Sequence, residues 1–294
     1  MKEVQRKYPP GSEWLYMKIY AGNKTIEKIL AEEMPFIINK IKRSALIDKW
    51  FFIRYTDPEF HLRIRFLSNN KQNAGQIIEI ANKRLCKLIK SDHVRKVQLD
   101  TYNRELERYG NEIIEEAESF FYADSECVLS ILKQLNNNEN YRWMIALKLI
   151  DALFSDFGLT IEEKQKLMEE TGKSYKTEFG FNEFNSKQFN TKFRENKKTV
   201  ESVLNNCINE QAFVSLLQPI TKRSKQMAPI ARQIKSKSTK DHSVNKLLKS
   251  YLHMMINRLF RSNNRLHELI LYDFMARYYT SEIAKEKYNK KESQ

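Results

Sequence analysis

Arg63 and Arg65 stand two residues apart in the run His-Leu-Arg-Ile-Arg-Phe, residues 61–66, in which polar and apolar side chains alternate. A period of two puts His61, Arg63 and Arg65 on one face of a strand and Leu62, Ile64 and Phe66 on the other. The two arginines then leave the backbone roughly 6.5 to 7 Å apart on the same side. Guanidinium groups held that close repel unless something anionic lies across them. Anion binding is the chemistry this spacing offers.

Two later segments carry further candidates. Residues 101–110, Thr-Tyr-Asn-Arg-Glu-Leu-Glu-Arg-Tyr-Gly, are dense in charge and follow directly on a predicted strand. Such a segment is either a solvated loop or an ordered polar network presented at a strand end. The second is a helix expected over residues 241–262, where Leu248, Leu252, Met255 and Leu259 form an apolar stripe. His253 and Asn257 lie one turn apart beside that stripe, as packed side chains or as part of a site. His61, His93, His242, His253 and His267 show neither HxxxH nor HExxH spacing, so metal catalysis has no motif to rest on. No GxGxxG, P-loop or Gly-x-Ser-x-Gly elbow occurs.

The elements that must hold these residues can be read from periodicity. Residues 14–20 alternate as a strand, and a helix capped by Asn23 or Thr25 is expected through about residue 42, kinked or split at Pro35. A hairpin over residues 49–67 turns at Asp57-Pro58, followed by a helix over 71–90 and a strand over 96–102. This strand-helix-strand-strand-helix-strand order is the split βαβ arrangement of ferredoxin-like units. Beyond Gly110 the pattern is almost continuously helical, with helices expected near 111–136, 140–156, 160–173, 185–206, 209–235, 241–262 and 264–285. The expected class is α+β: a ferredoxin-like unit over residues 1–110, and a helical portion over 111–294 that completes the same domain and the site. Residues 1–12, with Pro9-Pro10-Gly11, are expected to lack structure of their own.

Composition agrees with a folded, helix-rich chain. Of 294 residues 41% are hydrophobic, and 17 Phe, 14 Tyr and 3 Trp supply core-forming area. Seven Gly and six Pro disfavour turn-dense all-β folds and glycine-built phosphate loops. Cys86, Cys127 and Cys207 are odd in number and far apart, which suggests neither a disulfide framework nor a zinc knuckle and fits a reducing cytoplasm. The absence of an apolar signal segment or an apolar run of about 18 residues gives the same cytoplasmic expectation. The net charge of +14 is partly local, because residues 222–240 carry Lys222, Arg223, Lys225, Arg232, Lys235, Lys237 and Lys240 with no acid. That stretch reads as a solvated helix face or as a surface for a peptide or polyanion. No RNP-type aromatic motif or zinc finger accompanies it, so direct nucleic-acid binding is not expected.

Taken together, Phe-Phe-Ile-Arg-Tyr with His-Leu-Arg-Ile-Arg-Phe, then Tyr-x-Arg-Glu-x-Glu-Arg-Tyr-Gly, then His-Met-x-x-Asn-Arg resembles the C-terminal elimination domain of LanB-type lantibiotic dehydratases. The same domain is known as the thiopeptide-type bacteriocin biosynthesis domain. The resemblance runs from Trp14 to the last helix with Glu268-Leu269-Ile270-Leu271-Tyr272. In that family a larger domain glutamylates Ser or Thr of a precursor peptide from charged tRNA. The elimination domain then expels glutamate to leave dehydroalanine or dehydrobutyrine, with no cofactor or metal.

The resemblance implies that Arg63, Arg65, Arg104 and His253 carry the elimination. Arg63 and Arg65 would hold the glutamyl group and its departing carboxylate. Arg104 would complete the clamp or stabilise charge on the peptide carbonyl. His253 would act as general base or acid. His61, Tyr102, Glu105, Glu107, Asn257 and Arg258 are supporting or substrate-binding candidates. Implied partners are a separate glutamylating dehydratase protein and a ribosomally made precursor peptide, and a homodimer is left open. Two other functions remain in play: a thiopeptide-type pyridine synthase joining two dehydroalanines with loss of the leader, and a non-catalytic partner recruiting peptide or dehydratase.

Overall fold

The computed structural model of the chain describes residues 4–135 and 138–292. In order, the chain forms β1 (Lys7–Tyr8), β2 (Trp14–Ala21), α1 (Asn23–Lys28), α2 (Met34–Arg43), β3 (Ile47–Tyr55), β4 (His61–Ser68), α3 (Ala74–Lys90), β5 (Val94–Asp100), β6 (Tyr102–Asn103) and α4 (Leu106–Tyr109). Helices α5 (Ile114–Leu135), α6 (Glu139–Asp156), α7 (Ile161–Glu178), α8 (Glu183–Leu204), α9 (Gln211–Ser215), α10 (Gln218–Lys237), α11 (Val244–Leu259) and α12 (Asn264–Glu292) follow. The fold is α+β, with the strands confined to the first part of the chain. Among the described residues no helix is long and apolar enough to cross a membrane.

The chain divides into two units. The first runs to the end of α5 and takes in Lys225–Ser262, so it holds the whole sheet, α11 and most of α10. Its four main strands are antiparallel in the order β3-β4-β2-β5. Leu62, Ile64 and Phe66 are buried on one face of β4, as alternation requires. Arg54 shares that face with its register partner Leu62, and it meets Glu27 of α1 at 2.7 Å. On the other face the register sets Arg65 between Tyr16 and Phe51, Arg63 between Lys18 and Ile53, and His61 between Tyr20 and Tyr55.

Strand β3 lies at the sheet edge, where its outward amides and carbonyls need partners. Side chains of α5 and α11 supply them. Phe52 N–H donates to Ser125 Oγ at 3.2 Å, and the Phe52 carbonyl accepts from Arg258 Nε at 2.9 Å. The Asn257 side chain accepts from Arg54 N–H and donates to the Arg54 carbonyl, both at 2.9 Å. One amide side chain thus pairs with the edge as a neighbouring strand would, and it fixes α11 against β3.

Four local expectations are corrected. The N-terminal segment is not without structure: Lys7–Tyr8 pairs antiparallel with Tyr102–Asn103. The first helix is entered at Gly22 with no side-chain cap, and a π-helical turn, Ile29–Glu33, separates α1 from α2. Pro35 follows in the first turn of α2, where its missing N–H is tolerated. The helix expected over 209–235 breaks into α9 and α10, with Pro219 in the opening turn of α10. Within the basic stretch, Arg223 is buried 3.6 Å from Asp156, so it does not belong to a basic surface, whereas Lys222, Lys225 and Arg232 are exposed.

The second unit, Asn137–Ser224 with Asn263–Gln294, contains α6 to α9 and α12. Thr160 and Glu163 form a capping box at the start of α7, and Asn182 and Asn185 form another at α8. Helices α7 and α12 are joined by Lys176 to Asp273 at 2.6 Å and by a buried hydrogen bond from Tyr175 to Glu268.

Replacing Asn257 by Ala should lower the stability of the chain by about 2 kcal/mol, because two backbone groups of the β3 edge lose their partners. Urea unfolding reads this directly. A midpoint unchanged from wild type would show that water replaces the amide without loss. Gly110 ends α4 with φ 78° and ψ 151°, a region nearly closed to other residues. A Cβ there would also lie 3.1 Å from the His242 ring. Gly110→Ala should therefore destabilise by about 1–3 kcal/mol in the same measurement.

Candidate anion-binding site

The guanidinium of Arg65 is enclosed by aromatic rings. Its Cζ lies 4.5 Å from the centre of Tyr16, 4.9 Å from Tyr102 and 5.2 Å from Phe51. The residue is only 7% exposed, and its Nε makes no hydrogen bond. Ring faces attract a cation but leave its N–H groups unused. Arg65 lines a pocket together with Tyr102, Glu105, Tyr109, Phe121 and Met254.

The other buried arginines of this unit are each compensated by a carboxylate. Arg54 meets Glu27 at 2.7 Å, Arg104 meets Glu118 at 2.7 Å and Arg258 meets Asp124 at 3.0 Å. Among the described residues Arg65 pairs with no carboxylate. A buried charge without a counter-ion is costly. It is also the arrangement that leaves a cation ready for an anionic ligand.

Tyr102 and Arg104 are held from behind by Glu118 of α5. Arg104 donates from Nε to one Glu118 oxygen at 2.8 Å and from its terminal nitrogen to the other at 2.7 Å, a bidentate pair. Tyr102 donates its phenol to the first of these oxygens at 2.9 Å. Burial and the adjacent Glu118 charge keep the Tyr102 phenol well above its ordinary pKa, so it remains a donor. Burial opposes the charged form of Arg104, but the hydrogen bonds and charge of Glu118 outweigh it and raise its pKa. Burial likewise pushes the Tyr109 phenol up to about 12.

Arg63 is half-buried, with its guanidinium 3.4 Å from the centre of the Tyr55 ring. Its Nε donates to His61 Nε2 at 2.9 Å, and His61 Nδ1 donates to the Glu59 carbonyl at 2.7 Å. These bonds fix His61 as the neutral Nδ1–H tautomer. Burial lowers the His61 pKa, as do the charges of Arg63, Lys18 and Lys96, while the bond to Glu59 works the other way. Tyr20 stacks on the imidazole at 4.7 Å. His61 is therefore a support for Arg63.

The remaining candidates are distributed unevenly. His253 lies on α11, one turn before Asn257, whose side chain is engaged with β3. Its neighbour Met254 lines the Arg65 pocket, whereas His253 is not among the lining residues. Asn257 and Arg258 tie α11 to the sheet edge. Glu105 borders the pocket and pairs with Arg108 at 3.2 Å. Glu107 is exposed and pairs with Arg6 at 2.6 Å.

Sequence reading did not single out Glu118, Tyr16 or Phe51. A signal for Glu118 was present, since it falls on the apolar stripe of Ile114, Ala117 and Phe121 in α5. An acid at such a position is either buried with a partner or breaks the stripe.

Comparison with known proteins assigns the fold. The subtilin biosynthesis protein SpaB of Bacillus subtilis is 25% identical over 279 residues, covering 89% of this chain and 25% of its own length. The chain thus spans about a quarter of that relative. The crystal structure of the tRNA-dependent lantibiotic dehydratase MibB from Microbispora sp. 107891 superposes with a TM-score of 0.73 at 19% identity, over 94% of this chain and 29% of that one. The pyridine synthase TbtD from thiomuracin biosynthesis superposes with a TM-score of 0.64 at 12% identity, over 92% of this chain and 99% of that one. The family described as lantibiotic biosynthesis dehydratase C-term matches residues 14–279, and the chain belongs to that family.

Proposed function

We propose that this chain eliminates glutamate from glutamylated Ser or Thr residues of a precursor peptide, leaving dehydroalanine or dehydrobutyrine. The observation that carries this reading is Arg65, the buried guanidinium caged by rings and paired with no carboxylate. A glutamyl ester retains its side-chain carboxylate and releases a second one as the bond breaks. Arg65 receives one carboxylate, and Arg63, on the same face, receives the other. Arg104, whose fork is filled by Glu118, contributes position. The sheet, with its order β3-β4-β2-β5, is read as a ferredoxin-like unit that presents this face. The helical portion completes the site through α11.

In the proposed reaction His253 removes the α-proton as general base, or donates a proton as general acid. The Cα–H electron pair becomes the new double bond, the Cβ–O bond breaks, and its electrons leave on the glutamate carboxylate. The peptide would have been glutamylated at another active site, either of a partner dehydratase or of a larger assembly. The likeness to TbtD supports cyclisation of dehydroalanines as a second reading. Such substrates have no glutamate to hold, and a caged, uncompensated arginine would then lack a ligand. A recruiting partner without catalysis is the third.

The test is mass spectrometry of a glutamylated Ser/Thr peptide incubated with the purified chain, without tRNA, ATP or metal. Wild type should yield the dehydrated peptide and free glutamate. Arg65→Ala and His253→Ala should each slow the reaction by about 10²-fold or more. Persistence of the adduct with wild type, or its equally fast loss with His253→Ala, overturns the assignment. A macrocycle formed from a dehydroalanine-rich peptide would select the cyclase instead.

A further inference from the structure

We propose that Glu118 is a positioning residue which neutralises Arg104, so that among the described residues of this unit Arg65 alone offers an uncompensated buried guanidinium to the anionic group. The proposal rests on the elimination reading and assigns a role to a residue outside the family motifs. Glu118 is 1% exposed, and its two oxygens take three hydrogen bonds, two from Arg104 and one from Tyr102. The Tyr102 ring is in turn one of the walls around Arg65. A single carboxylate therefore sets both the orientation of that wall and the net charge behind it.

The electrostatic consequence is specific. With Glu118 ionised, Arg104 and Glu118 together add no net charge beside the pocket. Gln at position 118 would still accept from Tyr102 and from Arg104 Nε, but it would leave the Arg104 charge uncompensated. In so enclosed a place one extra positive charge strengthens anion binding markedly. The released glutamate would then be held too tightly. Glu118 thus favours turnover by keeping product affinity moderate.

Calorimetric titration of the full chain with free L-glutamate tests this, alongside product inhibition in the elimination assay. Glu118→Gln should bind glutamate about fivefold or more tightly than wild type, with an inhibition constant lowered by the same factor. The double variant Arg104→Gln/Glu118→Gln, which removes the pair without changing net charge, should return to an affinity near wild type. It also serves if the single variant does not fold. Wild-type affinity in Glu118→Gln overturns the proposal. Loss of glutamate binding in the double variant also overturns it, since Arg104 would then grip the anion itself. If wild type neither binds glutamate nor eliminates it, the elimination reading has failed; if wild type does both while Glu118→Gln matches it, only the role of Glu118 has failed.

Discussion

The constraint on which this site depends is the removal of arginine side chains from water without a carboxylate for every one. A guanidinium taken out of solvent needs a counter-charge or an array of polarisable faces. Arg54, Arg104 and Arg258 receive the first, from Glu27, Glu118 and Asp124. Arg65 receives the second, from Tyr16, Phe51 and Tyr102. The distinction divides four buried cations of similar chemistry into three paired with carboxylates and one enclosed by rings. Burial alone would not have separated them.

The ties explain how a sheet and helices distant in sequence share one site. Arg54 of β3 and Arg258 of α11 bond across the β3 edge: Arg54 Nε donates to the Arg258 carbonyl at 3.1 Å, while Arg258 Nε donates to the Phe52 carbonyl at 2.9 Å. Asn257 adds the paired bonds to Arg54. These contacts cover an edge that would otherwise be open to further strand pairing, and they set Met254 of α11 at the Arg65 pocket. Asn257 and Arg258, named as supporting or substrate-binding candidates on motif grounds, thus have a visible architectural use, which follows from the backbone groups they satisfy.

The family assignment and the geometry bear on different questions. Membership in the lantibiotic dehydratase C-terminal family follows from a match over most of the chain. The likeness of the fold to both MibB and TbtD means that architecture by itself does not select between elimination and cyclisation. The choice comes down to charge at one site. A half-buried Arg63 stacked on Tyr55 and a caged Arg65 beside it present two guanidinium groups on one sheet face, and the elimination proposal rests on them.

The sequence by itself determined the direction of the β4 side chains, because a strand has a side-chain period of two whatever surrounds it. It also carried the α+β order of elements, an interruption of the first helix near Pro35 and the segments joined in the family resemblance. What it did not carry was pairing between distant residues: β1 against β6, Glu118 against Arg104 and Tyr102, Asn257 against Arg54. Each joins groups whose separation along the chain bears no relation to any local period. Which arginine would remain without a carboxylate was therefore decided only by the tertiary structure, where a limited set of buried acids is distributed among a larger set of buried cations.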